Sequence, residues 1–152
     1  MAKKLVLASA SPRRKELLGK LTRKFMVKPS RVDESTIAAG TPEAFVLKAA
    51  LAKAEEVALR TRDSLVIGAD TIVVLGSIIL GKPKGKTGAT RMLKSLVGRT
   101  HRVITGLAVV DSETFQKITG LETTRVKKKW VPDAEIKAYV ASGRPLDKAG
   151  AY

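Results

Sequence analysis

The sequence predicts a mixed α/β fold whose central sheet is partly antiparallel. Three observations carry that prediction. Helix-start signals recur at Ser11-Pro12 and Thr41-Pro42, each with a capping hydroxyl before a proline at the first helical position. Apolar runs of strand length stand between helical patterns, at Lys4 to Ala8, residues 65–75 and His101 to Val110. The run 65–75 also turns at once through Gly76-Ser77 into Ile78 to Leu80, which is hairpin grammar and not a strict βαβ series.

Taken in order, Lys4 to Ala8 reads as a first strand. The helix opened by Ser11 carries Leu17, Leu18 and Leu21 and is expected to be interrupted near Gly19. Phe25 to Val27 is a second strand candidate, followed by a polar loop from Pro29 to Gly40. Thr41-Pro42-Glu43 opens an Ala-rich helix running to about Leu59. After the hairpin, Thr87 to Val97 reads as a helix closed by Gly98, the residue type favoured just past a helix end. A long strand, His101 to Val110, turns at Asp111 to Thr114, and Phe115 to Val131 supplies one or two further strands. Pro132-Asp133 opens a last helix that stops at Gly143. There is no internal repeat, low-complexity tract or linker, so the 152 residues read as one domain, long enough to bury roughly two thirds of their unfolded surface.

Composition narrows the function. With 44% apolar residues the chain is globular and not disordered. It contains no cysteine, which excludes disulfides and thiolate metal sites. The apolar run after Met1-Ala2-Lys3-Lys4 extends only from Leu5 to Ala8, far too short for a signal peptide or a membrane span, so a soluble, cytoplasmic protein without a membrane partner is expected. Charge is the unusual property: 29 Lys and Arg against 14 Asp and Glu, a formal +15. That balance favours polyanionic partners. Aromatic residues make up only 4% and do not interleave with the basic clusters, which weakens a stacking platform and argues against nucleic acid.

Two stretches suggest chemistry. In "LASASPRRKELL", Arg13 and Arg14 fall in the first turn of a helix, where cations oppose the macrodipole at a cost of a few tenths to about 1 kcal/mol each. Free backbone N–H groups and two guanidiniums at a helix start make a phosphate site that would justify the cost, and Ser9 adds a hydroxyl. The competing reading is two solvated arginines. In "SLVIGADTIVVL", Asp70 interrupts an apolar run. It either faces solvent at a break near Gly68-Ala69 or serves as a general base or metal ligand, with Asp33-Glu34 as further oxygen donors. Lys53 shares a helical face with Val46, Ala50 and Val57, and either runs its stem along the surface or turns its ammonium inward. "GKPKGKTGAT" is one residue short of P-loop spacing and contains Pro83, so that reading is rejected, and Lys82 stays a phosphate-contact candidate. His101, the only histidine, is read as structural.

The segments "LASASPRRKELL", "VDES", "GADTIVV", "LGKP", "GRTHRVITG" and "PLDKAGAY" together resemble the Maf (septum-formation-inhibitor) family of nucleoside triphosphate pyrophosphatases, in the family's order from residue 5 to residue 152. The resemblance implies an inosine-triphosphatase-like fold, a mixed sheet flanked by helices with a long cleft between two lobes. It implies hydrolysis of a nucleoside triphosphate to the monophosphate and pyrophosphate with a divalent cation, Mg²⁺ or Mn²⁺. Asp70 would be the proton acceptor, with Glu34 beside it as a metal ligand. Arg13 and Thr71 would bear on substrate choice, and Ser9, Arg14, Lys53, Lys82 and Lys148 would bind substrate. "SPRR", "GADT" and "DKAGAY" resemble the branch acting on dTTP and UTP. Family members are cytoplasmic, commonly homodimeric, and linked to arrest of cell division. The family pattern continues past "DKAGAY" with a Gly-Ile-Gln-Gly segment, whose glutamine contributes to base specificity, and then further strands and a helix. The expectation is therefore one Maf-like domain over residues 1–152 without those elements. A non-catalytic binder of nucleotides or nucleic acid is the alternative that the charge leaves open.

Overall fold

The computed structural model describes residues 2–152. Its elements follow in the order β1 (Lys4–Leu7), α1 (Pro12–Leu21), β2 (Met26–Val27), α2 (Pro42–Leu59), β3 (Ser64–Leu75), β4 (Ile78–Leu80), α3 (Gly85–Leu96), β5 (Thr100–Asp111), β6 (Lys117–Lys127) and α4 (Asp133–Ala141), with 3-10 turns at Glu34–Thr36, Arg144–Asp147 and Ala149–Ala151. Both helix-start signals hold: Ser11 Oγ accepts from the Arg14 N–H and Thr41 Oγ1 from the Ala44 N–H, with a proline following each cap. Helix α1 runs through Gly19 without a break, because one glycine costs a helix only about 1 kcal/mol relative to alanine and removes no hydrogen bond. Helix α3 begins at Gly85, two residues before the expected start, and residues 115–131 supply a single strand.

The sheet has the order β2-β1-β3-β5-β6, with β4 paired to β3. Strand β1 lies parallel to both β2 and β3, Val6 opposite Met26 and Val66, while β4 returns antiparallel along Val73 to Leu75. The sheet is therefore mixed, as expected. The chain divides into two compact units, one made of the residues up to Asp70 with Thr105–Glu122 and the other of Thr71–Ile104 with Thr123–Tyr152. Strands β3 and β5 contribute to each.

In the first unit the core joins Val6 and Ala8 of β1, Ala50, Ala54, Val57 and Ala58 of α2, Val66 of β3, and Ala108 and Val110 of β5. Small side chains on α2 let the helix sit hard against the sheet. A Cβ on Gly68 would lie 2.2 Å from the Ala50 carbonyl oxygen, and one on Gly106 2.4 Å from that of Val46. This close seating carries Lys53, one turn beyond Ala50, to the level of Asp70. In the second unit Ala89 and Leu93 of α3 pack with Ile136 and Val140 of α4 and with Ala151, and Leu96 packs with Val73 and Leu75.

Candidate active site

Strand β3 is continuous from Ser64 to Leu75, so Asp70 sits inside it and not at a solvent-facing break; it is 5% exposed. Lys53 is buried as well, and its ammonium is turned inward. Lys53 Nζ donates to Asp70 Oδ1 at 2.9 Å, lies 2.6 Å from Glu34 Oε1, and reaches the Ala69 carbonyl oxygen at 3.4 Å. Arg14 Nη1 donates to the same carbonyl at 3.0 Å and to Ser9 Oγ at 3.4 Å, and Ser9 Oγ also accepts the Ser11 N–H at 3.2 Å. The helix-start arginine and the buried acid thus belong to one constellation with Ser9, Lys53 and Glu34.

The 3-10 turn decides which acid of the Asp33-Glu34 pair takes part. Asp33 Oδ1 caps that turn, accepting from the Ser35 N–H at 3.0 Å and the Ser35 hydroxyl at 2.7 Å, which holds its carboxyl below the usual range. Glu34 is left to meet Lys53. Asp70 responds to opposing influences. Burial raises its pKa above the ordinary 3.8, Lys53 draws it back by charge and hydrogen bond, Glu34 pushes it up and Arg14 pulls it down; the net direction is upward. Burial lowers the Arg14 guanidinium, with Asp70 and Glu34 countering. Asp70 Oδ2 is buried with no hydrogen-bond partner, an exception to the rule that buried polar atoms are satisfied.

Arg13 lies at the exposed first turn of α1, close enough to Arg14 to lower its pKa through like charge. Thr71, Lys82 and Lys148 belong to the second unit. There the Gly150 N–H donates to the Gly81 carbonyl at 3.0 Å, joining the "DKAGAY" segment of Lys148 to the "LGKP" segment of Lys82. Gly150 has φ +68°, and a Cβ on it would lie 2.8 Å from Val73 Cγ2, so this junction requires glycine twice over. His101 is buried, as a structural histidine should be. Its Nε2 pairs with the Tyr152 hydroxyl, its ring meets that of Tyr152 edge-on at 5.4 Å, and Lys128 Nζ lies 3.4 Å over the Tyr152 ring. The participant that sequence reasoning missed is the Ala69 carbonyl, which accepts from both Arg14 and Lys53; a backbone oxygen leaves no side-chain signal.

Among the described residues no group of three or more His, Cys, Asp or Glu gathers as a metal site. Mg²⁺ needs fewer, since it takes one or two protein carboxylates and completes its shell with water and phosphate oxygens. Asp70 with its unpartnered Oδ2, and Glu34 on the same lysine, fit that donor set.

Arg14 at a helix start and Lys53, beside a buried carboxylate with one unpartnered oxygen, make a site suited to a phosphate-bearing substrate. A solved structure with this fold is a HAM1 protein from Coxiella burnetii, similar with a TM-score of 0.56 at 16% identity over 82% of this chain and 72% of that one. The chain belongs to the Maf family: the model described as Maf-like protein matches residues 4–152. It is 52% identical to the dTTP/UTP pyrophosphatase of Moorella thermoacetica, covering 98% of this chain and 77% of that protein. It is 50% identical to the dTTP/UTP pyrophosphatase of Geotalea uraniireducens, with coverage of 97% and 76%. Against the protein of that name from Thermococcus gammatolerans the identity is 47%, with coverage of 97% and 77%.

Proposed function

We propose that the chain is a nucleoside triphosphate pyrophosphatase that hydrolyses dTTP and UTP to the monophosphate and pyrophosphate. Family membership and the names of the relatives support the reaction class. The observation that carries the chemistry is Asp70, buried, raised in pKa, and with Oδ2 free to accept a proton. In this reading Asp70 Oδ2 takes the proton of the attacking water, and its raised pKa makes it a better base than an ordinary carboxylate. Arg14 and Lys53 bind phosphate oxygens and counter the charge that builds as the anhydride bond breaks. The Ser9 hydroxyl and the N–H groups at the start of α1 add donors. On the family pattern alone, Lys82 and Lys148 bind substrate, and Arg13 and Thr71 bear on substrate choice. Asp70 and Glu34 would hold Mg²⁺ or Mn²⁺, which supplies charge neutralisation when bound. Under the same reading, and on the family pattern alone, the enzyme works in the cytoplasm as a homodimer, with a link to septum formation in cell division.

The test is a panel of nucleoside triphosphates incubated with the chain and either metal, with product nucleotide and pyrophosphate both quantified. Pyrophosphate in step with monophosphate, greatest for dTTP and UTP, supports the reading. Release of orthophosphate, or no turnover of any triphosphate, would overturn it.

A further inference from the structure

The two units differ sharply in charge. The first carries 15 Lys and Arg against 11 Asp and Glu; the second carries 14 against three, and its segment Thr71–Ile104 contains seven basic residues and no acid. A triphosphate needs only a few of these cations. We infer that the second unit carries a separate binding surface for single-stranded nucleic acid, centred on Trp130 and the lysines before it.

Trp130 is the only tryptophan of the chain, and it is 75% exposed directly after Lys127-Lys128-Lys129. Lys128 is turned inward, its ammonium over the Tyr152 ring. Lys127 and Lys129 are both exposed. The Lys128 N–H donates to the Arg99 carbonyl at 3.0 Å, which brings exposed Arg99 alongside. Asp133, the acid nearest to Trp130 in sequence, is already held by Lys94 at 3.6 Å. An exposed indole thus follows two exposed lysines in the chain, and the backbone of exposed Arg99 is bonded to the residue between those lysines.

That combination is what unpaired nucleic acid recognises, with phosphates on Lys and Arg and a base stacked on the indole. A duplex keeps its base faces covered and has no use for Trp130. A membrane surface would require an amphipathic helix with a free apolar face. In α3 that face is taken, since Ala89, Leu93 and Leu96 are buried.

The experiment uses the whole chain without nucleoside triphosphate or divalent metal. Tryptophan fluorescence is titrated with an unlabelled 15-nucleotide oligothymidylate, and anisotropy of the labelled strand is measured at several salt concentrations, beside a 15-base-pair duplex, anionic vesicles and dTTP. Expected are quenching of Trp130 by the single strand and weaker binding of the duplex. Trp130→Ala should lower single-strand affinity about tenfold. Joint Lys127→Ala and Lys129→Ala should flatten the logarithmic salt slope by about 1.4, while joint Arg23→Ala and Lys24→Ala, the same charge removed from the first unit, should not. Asp70→Asn should bind as wild type, which separates this surface from the proposed catalytic reading. The inference is overturned if Trp130→Ala binds unchanged or if the duplex binds as tightly as the single strand. It is equally overturned if only vesicles, dTTP or rising protein concentration quench the fluorescence.

Discussion

Lys53 Nζ donates to one oxygen of Asp70 at 2.9 Å, while the other, Oδ2, is buried and unpartnered. One buried carboxylate is thus anchored at one end and open at the other. The anchor fixes the side chain; the open oxygen is where a proton or a cation can be received. The arrangement stores an unfavourable electrostatic state, because burial outweighs the cations and raises the pKa of Asp70.

Asp70→Asn should separate stability from activity. Because the folded-state pKa is raised above the ordinary 3.8, the folded protein favours neutral Asp70, and holding it charged at pH 7 weakens the fold. The asparagine variant should therefore melt at a higher temperature than wild type at pH 7. The gap should close as pH falls through the raised pKa, where wild-type Asp70 is itself neutral. Turnover should fall at least about 100-fold at every pH. Melting curves from pH 7 to pH 4, with pyrophosphate assays, check both; a variant less stable at pH 7 would contradict the electrostatic account.

Lys53→Met removes the cation between Asp70 and Glu34. Asp70 then loses the partner that most lowers its pKa, so the acid limb of the rate profile should move to higher pH. Leaving the buried acid uncompensated should destabilise the fold by about 3 kcal/mol. Adding Asp70→Asn to this variant should recover much of that loss, since no buried charge then remains without its partner. Denaturant titrations of the two single variants and the double variant measure the coupling, and strict additivity would refute it.

Two glycines should respond oppositely to alanine. At Gly68 the new Cβ would stand 2.2 Å from the Ala50 carbonyl oxygen and 2.8 Å from the Ala54 nitrogen, both backbone atoms that move only if α2 moves. A loss of about 3 kcal/mol is expected, with reduced turnover because α2 carries Lys53. At Gly19 nothing lies within 4 Å, so alanine should stabilise α1 by about 0.5–1 kcal/mol and leave turnover alone. Thermal melts of the two variants decide the matter.

Much of this was legible before the structure. Ser11-Pro12 and Thr41-Pro42 announce their helices because capping is a local interaction. Asp70 stands out because a carboxylate in an apolar run must be justified. Lys53 could be assigned to the inward face of α2 by its spacing from Ala50 and Val57. The direction of its ammonium was not legible, because that depends on how closely α2 seats over Gly68. The division of labour between Asp33 and Glu34 was hidden too, since it follows from a short turn whose cap consumes one of them. Continuity of α1 through Gly19 reflects the cooperativity of the helix around it, which outweighs the propensity of one residue. Trp130 shows the same limit: nothing local distinguishes an indole that packs inward from one that stays in solvent.

The pair Lys3 and Asp111 gives a prediction about acid stability that is independent of the active site. Lys3 Nζ donates to Asp111 Oδ2, and the Glu113 and Thr114 N–H groups donate to Oδ1 at 2.9 and 3.3 Å. Led by the lysine, these contacts lower the Asp111 pKa from 3.8 to about 2. A depressed carboxylate pKa means the folded state favours the charged form. Its contribution is therefore complete above the ordinary value of 3.8 and is lost as pH falls toward about 2. Lys3→Ala should lower the melting temperature at pH 7, and the difference from wild type should shrink as pH falls through that window. Titration of the Asp111 carboxyl by NMR should show its pKa moving up toward 3.8 in the variant. A melting difference constant from pH 7 down to pH 2 would show that Lys3 acts through packing alone and not through the charge of Asp111.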